Sequence, residues 1–153
     1  MARFRRFVLP VLALTVALAG AACQKRQQVI GSGDIADALP TMMGEAETRA
    51  RDYLFEMADL LRTHVAEPDQ AIQRMRAFIR VNRDEMAANA AALQATWDSL
   101  DGFEARVYEA QFAAFIGEGT VAWVEAKRAF EVANPSQIAI IQEIVANADN
   151  PEP

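Results

Sequence analysis

The chain of 153 residues is poor in the residues that most often carry chemistry. It has one cysteine, Cys23, and one histidine, His64. One cysteine excludes an intramolecular disulfide. One histidine excludes the paired Glu-x-x-His motifs of di-iron bundles. There is no C-x-x-C-H, no G-x-S-x-G and no Walker-type glycine-rich loop, so attached haem, the serine-hydrolase elbow and P-loop phosphate binding have no sequence support. Seven glycines and six prolines are too few for a low-complexity chain. No segment alternates apolar and polar residues as a half-buried strand does. No catalytic set is legible, and the expectation is a protein that is not an enzyme and has no cofactor.

What the chain does have begins at its first residue. Met1-Ala2-Arg3-Phe4-Arg5-Arg6 places three positive charges before an apolar run from Phe7 to Ala19, broken only by Pro10 and Thr15. Gly20-Ala21-Ala22 and then Cys23 follow. A basic start, a short apolar stretch and a small-residue zone are the pattern of a secretory signal. The apolar stretch is shorter than the roughly 20 residues a membrane span needs. Residues 1–22 are therefore expected to be a removed signal peptide, and the rest to be exported.

Cys23 stands directly after Leu18-Ala19-Gly20-Ala21-Ala22. The segment resembles the lipobox of bacterial lipoproteins, although Gly20 occupies the place three before the cysteine where that family usually has leucine. The resemblance covers only the first two dozen residues. It implies a diacylglycerol on Cys23 and attachment to a membrane. One acyl chain binds a bilayer only marginally, whereas two or three bind stably, because each buried methylene contributes about 0.8 kcal/mol. Gln24 replaces the aspartate that retains such proteins at the inner membrane, so the resemblance implies the periplasmic face of the outer membrane. The alternative is a cut after Ala21 or Ala22 that releases a soluble periplasmic protein.

Charge narrows the partners. Of 15 Lys and Arg in the chain, three lie in the leader, leaving 12 against 21 acidic residues and a net charge of −9. Nucleic-acid binders concentrate the opposite sign, so nucleic acid is not expected. An acidic body is also repelled by an anionic lipid surface.

Residues 23–40 contain Gly31-Ser32-Gly33 and no sustained periodicity, and read as a flexible tether. Ile35, Ala38 and Leu39 are spaced for a short helical turn that would dock on the body. Residues 41–148 read as a helical domain and 149–153 as a disordered tail. Within the domain, apolar residues recur in steps of three and four from Met42 to Val65, from Asp69 to Trp97 and from Phe103 to Val132. Glu45, Glu47 and Asp52 suit the positive end of the first helix. Asp69 is the expected N-cap of the second. Gly117-Glu118-Gly119 interrupts the third, but its apolar stripe keeps phase, which predicts a continuous or kinked helix. Asn134 as cap and Pro135 as first residue predict a short fourth helix. The fold class is all-α: an up-down antiparallel bundle of three long helices and one short C-terminal helix.

Candidate functional residues are few. Arg76, Arg80 and Arg83, with Arg74 nearby, form a basic stripe able to receive an anion or an acidic partner, or else to pair with acids of a neighbouring helix. Met57 and His64 lie two turns apart on one face and are weak candidates for copper or haem iron. Asn82 lies on the apolar stripe, where a buried amide commonly fixes helix register. The reading that results is a lipoprotein whose helical domain binds or scaffolds another envelope component. The alternative is a carrier of haem, copper or a lipid in the bundle core.

Overall fold

The computed structural model describes residues 43–148. Cys23, the tether and its Ile35–Leu39 turn, and the tail lie outside the described residues. Four helices and no strand occur among those described: α1 Glu45–Thr63, α2 Pro68–Ser99, α3 Gly102–Ala133 and α4 Ile138–Ala146. None is long and apolar enough to cross a membrane. The all-α bundle follows the periodicity of the sequence.

Residue pairs give the helix directions. Arg49 pairs with Glu85 and Tyr53 stacks edge-on against Phe78, so α1 and α2 run antiparallel. Tyr108 meets Glu47 near the start of α1, and Arg62 near its end reaches Ala122, so α1 and α3 run parallel. These two non-consecutive helices share the most extensive contact in the bundle. The cause is small residues on α3: Gly119, Ala122 and Ala126 are buried. A Cβ at Gly119 would stand 3.1 Å from the Arg51 carbonyl oxygen and 3.2 Å from Leu54 Cβ. α2 meets α3 through longer side chains, with Trp97 edge-on to Tyr108 at 6.1 Å between ring centroids.

The core runs through all four helices and includes Met57, Leu61, Met75, Trp123, Phe130 and Ile141. Phe130, Leu61, Met75 and Ile141 are its largest fully buried side chains. α4 closes it against α2 and α3, burying Ile138, Ile141 and Val145.

Three local expectations are corrected. Asp69 is not the cap of α2: Glu67 is, and Pro68 takes the first position, where a fixed φ and a missing N–H cost nothing. Asn134 does not start α4, which begins at Ile138 after Gln137. It ends α3 instead, and its Nδ2 donates to the Val65 carbonyl at 2.8 Å, closing an orphan group where α1 has run out. Asn82 does not bridge helices, since its Nδ2 donates to Phe78 O one turn back at 2.9 Å. On the same helix Asn89 does cross to α1, its Nδ2 donating to Ala46 O at 2.9 Å.

α3 is continuous through Gly117-Glu118-Gly119. The two glycines are unequal, because a Cβ at Gly117 would meet nothing within 4 Å. Gly117→Ala is therefore expected to stabilise the domain by about 0.5–1 kcal/mol through helix propensity and a less free unfolded chain. A denaturant midpoint that rises at constant slope would show it.

Candidate functional site

Two arrangements of polar groups could serve a function, and their geometry separates them. The first lies at the start of α1. Glu47 is 4% exposed although the sequence suggests a solvated helix-end charge. Its Oε2 accepts from the Gly44 N–H at 2.8 Å, the reach-back half of a capping box. Its Oε1 accepts from the Tyr108 hydroxyl at 2.6 Å. Burial, then the hydrogen bond to Glu47 and its charge, push the Tyr108 phenol well above its ordinary value of 10.0. Tyr108 also stacks on Phe112, with ring centroids 5.9 Å apart. Asn89 and the Arg49–Glu85 pair tie the same turn to α2. Both carboxylate oxygens are engaged by the fold itself, so this cluster anchors the first turn of α1. No signal in the sequence distinguishes Glu47 from Glu45, because only the rotation of α1 against α3 turns one of them inward.

The second arrangement is a shallow groove between the end of α1 and the middle of α2. Leu60 and His64 supply one wall, and Arg74, Ala77, Phe78, Val81 and Asn82 the other, around a volume of about 310 Å³. A neighbouring depression of about 290 Å³ shares Arg74 and Ala77 and adds Gln70 and Gln73. The two thus form one strip along α2. Val81 on that strip is 78% exposed, which is uncommon for a branched apolar residue in a mid-helix position.

The arginines predicted from sequence divide. Arg76 and Arg80 are exposed and Arg83 is half-buried. Arg74, on the opposite flank of Ala77 and Val81, joins the first two. Among the described residues, Arg49, Arg51 and Arg62 form ion pairs and Arg83 is also engaged, whereas Arg74, Arg76 and Arg80 take part in no ion pair. Pairing with acids of a neighbouring helix therefore does not account for them.

Met57 and His64 are not brought to one site. Met57 is 3% exposed within the core, whereas His64 ends α1 and lines the groove. Among the described residues no group of three His, Cys, Asp or Glu side chains is placed to hold a metal ion. No known protein family, curated protein or solved structure matches the chain.

Proposed function

We propose that the chain is an exported lipoprotein, anchored through acyl chains on Cys23 to the periplasmic face of the outer membrane, whose helical domain binds another protein of the cell envelope. The observation that carries this reading is the leader: a basic start, an apolar stretch and small residues ending at the chain's one cysteine. The open apolar groove and the exposed arginines beside it are consistent with a domain that presents a surface to a partner.

The test is Cys23→Ser in the full chain, followed by membrane fractionation and metabolic labelling with a radioactive fatty acid. The parent chain is expected to sediment with membranes and to carry label. The variant is expected to lose the label and leave the outer-membrane fraction. Membrane retention of an unlabelled variant equal to the parent's would refute the lipid anchor.

A further inference from the structure

We infer that the groove-bearing face of α2 docks an acidic amphipathic helix of a protein partner. This rests on the reading of the domain as a binding module, but not on lipidation of Cys23.

From Gln70 to Arg83, α2 carries four arginines and no acid, in a chain with 21 acidic residues against 15 basic ones. Residues three and four apart share a helix face. Half-buried Ala77 and exposed Val81 therefore form a short apolar strip, with Arg74 on one flank and Arg76 and Arg80 on the other. The groove walls Leu60 and Phe78 continue the apolar surface toward α1. Asp69 precedes the stretch, and at its far end Asp84 and Glu85 share the face with Val81, Glu85 being already paired with Arg49 of α1. The exposed arginines from Arg74 to Arg80 span roughly 9 Å at 1.5 Å per residue, within a stretch from Gln70 to Arg83 roughly 20 Å long.

An apolar strip between cationic flanks selects an occupant with the complementary pattern: apolar anchors at i, i+3 or i+4 and i+7, flanked by carboxylates. Guanidinium groups suit that task because their planar forks receive carboxylates in pairs. The shallow groove, walled by Leu60 and His64 of α1 and Phe78 of α2, offers a helix a seat between two helices. The net charge argues the same way, because an acidic body is repelled by an anionic bilayer.

The experiment uses the exported chain carrying Cys23→Ser and three probes. These are a designed peptide of about 16 residues with a leucine stripe flanked by glutamates, the same peptide with lysines for glutamates, and phosphatidylglycerol vesicles. The glutamate peptide is expected to bind at least about tenfold more tightly than the lysine peptide, and to weaken with added salt. Val81→Asp, and separately the triple change Arg74→Glu, Arg76→Glu, Arg80→Glu, are each expected to weaken it about tenfold or more. Val132→Asp, at an equally exposed valine of α3, is expected to leave it unchanged. Circular dichroism of each variant confirms the fold.

Equal binding of both peptides, no binding, or insensitivity to the α2 variants overturns the inference. Vesicle binding that the α2 variants abolish assigns the face to a membrane and overturns it as well. Self-association abolished by Val81→Asp assigns the face to a second copy and likewise overturns the inference. None of these results depends on the fractionation of the Cys23 chain, so failure of the anchor and failure of the docking face are separately visible.

Discussion

Replacing Gly119 by leucine is expected to destabilise the domain by about 3 kcal/mol, lowering the melting temperature on the order of 10 °C. The neighbour that a new Cβ would meet at 3.1 Å is the Arg51 carbonyl, which is backbone inside α1 and cannot rotate away. Leu54 Cβ at 3.2 Å blocks the other side. A longer side chain must therefore separate α1 from α3. That separation loosens the Leu54 and Trp123 packing and the Glu47–Tyr108 bond, which bind the same two helices. Gly119→Ala gains roughly 1 kcal/mol of helix propensity, which partly offsets the crowding, so its loss is expected to be smaller. Gly117→Ala is the control, with the same gain and no crowding. Thermal unfolding of the three variants decides: equal midpoints for Gly117→Ala and Gly119→Leu would mean that the close helix crossing contributes nothing.

The second large effect is expected at the Glu47–Tyr108 pair. Glu47→Leu removes the acceptor from two donors at once, the Tyr108 hydroxyl and the Gly44 N–H. Leaving a buried donor unpaired costs about 1–3 kcal/mol, so a loss of about 2–3 kcal/mol is expected. Tyr108→Phe leaves the nearly buried carboxylate short of its 2.6 Å bond, at a similar cost. The double variant is expected to lose less than the two losses added, because the residues act on each other. Glu47→Gln keeps an acceptor and should retain part of the stability.

The pair also predicts a pH response. The folded state raises the Tyr108 phenol above its ordinary value of 10.0, chiefly by burial and then through Glu47. Its contribution is complete below about pH 10, where the phenol is neutral folded and unfolded. It declines as pH rises beyond that, since the unfolded chain releases the proton first. Burial raises Tyr53 in the same direction. Alkaline unfolding should therefore be shallower, not absent, in Tyr108→Phe. An unchanged slope would remove Tyr108 from the response.

The candidate site was half legible in advance. Arg76 and Arg80 stand out in the sequence because four arginines without an acid are rare in so acidic a chain. That Arg74 rather than Arg83 completes the face follows only from how α2 packs, which exposes Arg74 at the groove and half-buries Arg83. Packing of α2 in the bundle leaves Arg83 half-buried and Val81 in solvent. Asn134 shows why local signals mislead. An Asn-Pro pair reads as a helix start, but its amide is used by a carbonyl 69 residues earlier in the chain, and α4 begins later.

By itself, the sequence determined the acidic charge and the number of helices in the body, and it displays the basic and apolar stretch before Cys23. Charge clustering and the 3.6-residue apolar period are properties of neighbouring residues, and neighbours are what a sequence displays. The tertiary structure alone decided which side chains those helices turn inward. Glu47 and Glu45 are both acids in the first turn of α1, and only the close approach of α3, permitted at Gly119, seals one of them against Tyr108.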